Sequence, residues 1–325
     1  MLRRVLRSAV ITVALAAVAL GAAAPSGGAP SNYGVGEIVV RYVDHSRTVV
    51  FGQGKAVPRP LPTVIRYPIA ASGVDVRGAP PAHGAFPLIV FAHGFAATPG
   101  IYAALLRAWV RAGYVVAAPF FPLTNAGTPG GPDESDIVNQ PRDVSFVITR
   151  ILAASASEHG PLAGLVDPRR VAVAGQSDGG STALDTAYDH AHRDRRLDAA
   201  IVLSGAEWPG RDSVAFAPRS PPLLAVQGTA DSSNFPTSTY RYFHLARPPK
   251  FLLSLFGAGH LAPYTTEQPQ LGIVERETIA FLDRYLKHLS GAARRMWSAG
   301  DVPGVAALAT HAPAVAAATG HGTTP

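Results

Sequence analysis

The sequence predicts an α/β protein, a mostly parallel central sheet with helices on both faces. Three observations predict it. Short apolar runs such as Pro87–Ala92 (PLIVFA) lack polar alternation, as strands buried on both faces do. Segments with helical spacing alternate with those runs along most of the chain. With 325 residues, 47% of them hydrophobic and 15% charged, the chain can bury one large core.

In order along the chain, residues 1–24 read as a secretory signal peptide. Arg3, Arg4 and Arg7 form its basic start, Ala9 to Leu20 its apolar core and Gly21 to Ala24 its small-residue exit. The apolar part is shorter than the ~20 residues of a membrane span, so no stable membrane anchor is expected; an uncleaved anchor is the rival reading. The Arg3-Arg4 pair admits twin-arginine export as well as the general route. Residues 25–36, rich in Pro, Gly and Ser, read as a flexible linker.

A domain over residues 37–290 follows. Its early β-rich runs are Glu37–Val43, Arg47–Phe51 and Thr63–Ile69. Then come strand Pro87–Ala92, helix Ile101–Arg111 with Gly113 as its cap, and strand Tyr114–Pro119. Leu123 to Asn139 is a polar loop whose Asp133, Glu134 and Asp136 are expected to face solvent. Helix Asp143–Ala154, strand Val171–Ala174, helix Thr182–His190 and strands Ala199–Ser204 and Leu223–Gln227 continue the series. Helix Ser238–Leu245, strand Phe251–Phe256 and helix Glu275–His288 complete it. The tail, residues 291–325, is rich in Ala, Gly, Thr and Pro. Met296 to Leu308 can pack on the body through Trp297, and Thr310 to Pro325 is expected to be disordered.

The formal charge of +6 drops to +3 beyond residue 24, because the leader holds three arginines and no acid. That balance is too mild for a nucleic-acid partner. There is no cysteine, so the expected exported fold rests on its core without disulfides. A monomer is expected.

Gly175-Gln176-Ser177-Asp178-Gly179 fits G-x-S-x-G between a β run and a helical one, the setting in which that pattern marks a nucleophile. A serine hydroxyl needs a base to take its proton. Of the eleven histidines, His260 directly follows a strand-like run, FLLSLFGAGH. Asp231 ends LLAVQGTAD and can orient that imidazole, with Glu207 and Asp212 as alternative acids. The chain order Ser, Asp, His is that of α/β-hydrolases. A tetrahedral oxyanion needs two donors. The backbone N–H of Asp178 and that of Phe95, in the His93-Gly94-Phe95 loop, are the candidates. His93 is read as structuring that loop, and Gly94 as permitting an unusual backbone angle. The Asp178 carboxylate is expected to point away from the oxyanion, held by the helix end or a basic partner. His190, His192, Asp189 and Asp194 read as a solvated helix end, and no metal or organic cofactor is expected. Phe120 and Phe121 end a strand near the expected cleft, with ordinary core packing as the alternative reading.

The stretches RPLPTVIRYP, IVFAHGF, VDPRRVAVAGQSDGG, LLAVQGTAD and GAGH together resemble the α/β-hydrolase superfamily from about Arg59 to Leu289. The likeness is to its secreted, lid-poor esterase branch, with dienelactone-hydrolase-like proteins, bacterial cutinases and polyester hydrolases, chlorophyllases and platelet-activating-factor acetylhydrolases. It implies a secreted serine hydrolase acting on small-molecule, lipid or polymer esters through an acyl-enzyme on Ser177. It also implies aromatic substrate contacts from Phe95 and Trp208. Gln176 and Asp178 depart from the family, which often has His and Met or Leu around the serine. Acyl transfer to a cell-wall or alcohol acceptor, and a non-catalytic binding protein on the same scaffold, are the alternatives.

Overall fold

The computed structural model describes residues 32–207, 216 and 220–314. Their strands are β1 (Gly34–Val49), β2 (Val57–Ile69), β3 (Asp75–Arg77), β4 (Phe86–Ala92), β5 (Val115–Pro119), β6 (Val166–Gln176), β7 (Leu197–Leu203), β8 (Leu223–Gly228), β9 (Lys250–Leu255) and β10 (Ala306–Ala309). All join one sheet in the order β10-β9-β8-β7-β6-β4-β5-β2-β1-β3. β5, β4, β6, β7, β8 and β9 are parallel; β2 and β10 run antiparallel at either side of them. This is the α/β-hydrolase fold.

The helices are α1 (Ala103–Arg111), α2 (Gln140–Ala156), α3 (Asp178–Tyr188), α4 (Pro236–Leu245), α5 (Gln270–Tyr285) and α6 (Ala292–Gly300). They divide between two cores, and the parallel strands feed both. In β4, Leu88, Val90 and Ala92 join the core under α2 and α3, whereas Ile89 and Phe91 join the core under α1 and α5. Two buried faces therefore explain the uninterrupted apolar runs.

Several expectations change. The two early β runs form one strand, β1, with a bulge between Asp44 and Thr48. Asp44 accepts from the backbone N–H and hydroxyl of Ser46 and pairs with Arg47 at 2.7 Å, so the polar DHSR stretch bends the strand without ending it. Gly34 to Gly36, assigned above to the linker, already belong to β1. As expected of Met296 to Leu308, the compact body continues past residue 290. Helix α6 buries Met296, and β10 extends the sheet beside β9, with Leu308 opposite Leu253. Trp297, the expected anchor, is instead 44% exposed, with its ring in a T-shaped contact with Phe251. Finally, Asp136 is buried, not solvated, because Arg59 reaches it from β2.

No helix among the described residues is long and apolar enough to cross a membrane. Residues 1–31, where the leader is expected, and 315–325 of the tail lie outside the described residues.

Candidate active site

Strand β6 ends at Gln176 and α3 begins at Asp178, leaving Ser177 alone in the turn at φ 58° and ψ −123°. A non-glycine residue at positive φ is strained and persists only when its surroundings hold it. Here the Ser177 N–H donates to the Leu203 carbonyl at 2.9 Å. The flanking glycines supply the room. A Cβ on Gly175 would lie 1.9 Å from the Gly179 carbonyl oxygen, and one on Gly179 would lie 2.0 Å from that of Ala92.

Three loops at the carboxyl ends of the parallel strands converge on this turn. His260 Nε2 lies 2.8 Å from Ser177 Oγ, and its Nδ1 lies 2.8 Å from Asp231 Oδ2. A carboxylate only accepts, so Nδ1 carries the proton, Nε2 is left as acceptor and the serine hydroxyl donates to it. Asp231 is buried, and its second oxygen accepts the N–H groups of Ser233 and Asn234, each at 2.9 Å. Burial alone would raise its pKa. The His260 hydrogen bond and charge, with the Asn234 N–H, outweigh burial and hold it below the ordinary carboxylate value. Asp231, rather than Glu207, thus meets the imidazole; Asp212 lies outside the described residues.

The His93-Gly94-Phe95 loop reaches the same turn. A Cβ on Gly94 would stand 3.2 Å from the Ser177 Cβ and 3.1 Å from the Gln176 Oε1. A side chain there would crowd the serine, and no unusual angle is required; the left-handed residue of this loop is Ala96, at φ 51°. The Ala96 N–H donates to the Thr124 carbonyl at 2.8 Å. His93 is fully buried, with Nδ1 on the Gly94 carbonyl at 2.8 Å and Nε2 accepting the Phe121 N–H at 3.2 Å. Burial pushes its pKa down to about 4, against the pull of the Gly94 carbonyl. Phe121 packs on the His93 ring, while Phe120 lines a separate cavity of about 340 Å³ with Phe51, Pro60 and Pro62. Phe95 is partly exposed beside the site. Among the described residues no hydrogen bond engages its N–H. The Asp178 N–H opens α3 and so has no intrahelical acceptor. Trp208 lies outside the described residues.

Of the two restraints expected for the Asp178 carboxylate, a basic hydrogen-bond partner is absent among the described residues, and its buried Oδ2 has no hydrogen bond there. Burial, then the charge of Glu134, pushes its pKa up to about 6, with His260 pulling the other way. Desolvation, not pairing, therefore governs this charge. Because the folded pKa exceeds the ordinary 3.8, the native state holds a proton through that window. Stability falls as pH rises from about 4 to 6, and the full cost, on the order of 3 kcal/mol, applies above. Asp178→Asn is expected to melt higher than the parent at pH 8 and alongside it near pH 4. Equal melting temperatures at pH 8 would contradict this.

Two further residues reach the site unforeseen. Gln176 bonds the main chain of His260, and Tyr102 bonds Gln176 and Gly94. Gln176 stood out in the sequence only as a departure from the family, and Tyr102 gave no signal at all. Away from the site, Asp189 accepts from the Ala191 and His192 N–H groups and the His192 ring, closing a turn after α3.

Residues 48–217, just over half of the chain, match the sequence model of the chlorophyllase family. Among solved structures, a ferulic acid esterase from Streptomyces cinnamoneus is similar in fold, with a TM-score of 0.62 at 24% identity. The match covers 80% of this chain and 92% of that one. No curated protein sequence matches significantly. The chain therefore belongs to the chlorophyllase family, among the ester hydrolases of the α/β-hydrolase superfamily.

Proposed function

We propose that the protein is a secreted serine hydrolase that cleaves carboxylic esters of short-to-medium acyl length through an acyl-enzyme on Ser177. The observation that carries this reading is the unbroken relay from Ser177 Oγ through His260 to Asp231, with 2.8 Å at both steps, on a serine held at φ 58°. His260 Nε2 takes the hydroxyl proton as Oγ attacks the ester carbonyl. The oxyanion is received by the N–H groups of Phe95 and Asp178. The alcohol leaves with the proton from His260, and water then enters, gives its proton to the same nitrogen and releases the acid. Asp231 keeps the imidazole in the productive tautomer. The leader of residues 1–24 supports export.

Labelling by a fluorophosphonate probe tests the nucleophile. The probe is expected to modify Ser177 in the parent and to leave Ser177→Ala unmodified. Labelling that survives the substitution, or a parent that hydrolyses p-nitrophenyl butyrate without being labelled, would overturn the reading. Esters graded by acyl length, together with a feruloyl ester and a polyester film, define the substrate range.

A further inference from the structure

Ser177, His260 and the His93-Gly94-Phe95 loop come from three separate strand ends, and one buried pair of side chains joins them. Gln176 is the last residue of β6, and Tyr102 immediately precedes α1; both are buried. The Tyr102 hydroxyl accepts the Gly94 N–H at 3.3 Å and donates to Gln176 Oε1 at 2.8 Å. Gln176 Nε2 donates to the main-chain carbonyl of His260 at 2.9 Å and lies 3.4 Å from the imidazole Nε2. The amide orientation is settled by its partners: turned over, it would set its oxygen against the His260 carbonyl.

We propose that Gln176, backed by Tyr102, is the positioning residue that keeps His260 in place during deacylation. The inference rests on the proposed catalytic roles of Ser177 and His260. Before acylation, the imidazole is held at both nitrogens, by Asp231 and by the Ser177 hydroxyl. Once Ser177 Oγ is esterified it has no proton to donate, and the bond at Nε2 is lost. In that state Nε2 must take a proton from water while the water oxygen attacks the acyl carbonyl. It then returns the proton to Oγ as the acyl C–O bond breaks. The bond from Gln176 to the His260 carbonyl involves no reacting atom, so it persists through both half-reactions. Tyr102 fixes the amide and carries the same restraint to Gly94, beside the N–H of Phe95. A displacement near 1 Å at a reacting group can cost about 100-fold, so the loss of such a restraint is measurable.

The test is burst and steady-state kinetics on p-nitrophenyl butyrate with Gln176→Met, of similar length without hydrogen bonds, Gln176→Glu, which lacks the N–H donor, and Tyr102→Phe. For Gln176→Met, kcat and KM are expected to fall together by about tenfold, with kcat/KM nearly unchanged and the acyl-enzyme accumulating as a burst. Gln176→Glu should fail to restore kcat, and Tyr102→Phe should reproduce part of the loss. The Gln176→Met/Tyr102→Phe pair should be less than additive, because both act in one relay. Should Gln176→Met fail to fold, Tyr102→Phe carries the same test. An equal fall in kcat and kcat/KM, or no fall in kcat, overturns the proposal. Fluorophosphonate labelling of the parent at Ser177 is the separate control: its failure sinks the serine mechanism, whereas labelling with unchanged deacylation sinks only the relay.

Discussion

His260→Ala is expected to lower kcat for p-nitrophenyl butyrate by about 10⁶-fold while changing KM only a few-fold. The size follows from the absence of a substitute among the described residues. Gln176 also comes near the site, but its amide nitrogen donates and cannot accept the serine proton. His93 is the other imidazole close by. It is buried, its Nε2 is occupied by the Phe121 N–H and its Nδ1 faces the Gly94 carbonyl. Asp231→Asn should cost less, about 10⁴-fold, because the base survives while its tautomer is no longer enforced. That ordering is itself informative. If His260→Ala retained a hundredth of the parent rate, another group would be taking the proton, and the reading of Ser177 would need a different base.

Much of this arrangement was legible because each residue of the proposed triad follows a strand. An apolar run that leads into a glycine-bounded serine, a strand followed by TAD and another followed by GAGH require only local pattern to find. A parallel sheet then brings strand ends to one edge without any further information. The linking side chains were not legible for the same reason. Gln176 and Tyr102 are separated by 74 residues, and their bond depends on how α1 packs beneath β4. Nothing in the local pattern around Tyr102 distinguishes it from an ordinary core tyrosine.

The misread segments share a cause. Asp136 sits in PDESD, a stretch that reads as solvated until Arg59 is brought to it across 77 residues. Residues 306–309, AALA, lack the β-branched and aromatic residues that signal a strand, yet pairing with β9 makes them one. The DHSR bend looks like a turn because Asp44 does form a turn-like cap, but β2 continues to pair on both sides of it. In each case the tertiary partner outweighs the local preference.

Arg59→Met is the substitution expected to weaken the fold most. One buried guanidinium grips two carboxylates: Nε and Nη2 meet Asp143 at 2.8 and 2.6 Å, and Nη1 and Nη2 meet Asp136 at 3.0 and 2.6 Å. Burial would lower the Arg59 pKa, but first Asp143 and then Asp136 raise it, so the arginine stays charged. Removing it leaves the Asp136 carboxylate without the guanidinium and Asp143 with Arg47 as its remaining cation. Breaking such a buried group by deleting one partner costs about 3–5 kcal/mol, which corresponds to a fall in Tm on the order of 10 °C. Burial already raises the Asp143 pKa against the pull of Arg59, so the variant's folded state holds a proton that the unfolded chain releases. Its deficit should therefore grow as pH rises and shrink as pH falls toward the ordinary carboxylate range. Replacing both acids by asparagine in the same chain should recover much of the stability, since whole buried ion groups exchange for neutral ones at little cost. Activity should fall with stability in the single variant. Gln140 opens α2 near Asp143 and donates to the Thr124 hydroxyl at 2.9 Å, and the Thr124 carbonyl holds the Ala96 N–H beside Phe95. Thermal melts from pH 5 to 8, read against p-nitrophenyl butyrate turnover, check both. A deficit that does not depend on pH would mean that lost packing, not orphaned charge, sets the cost.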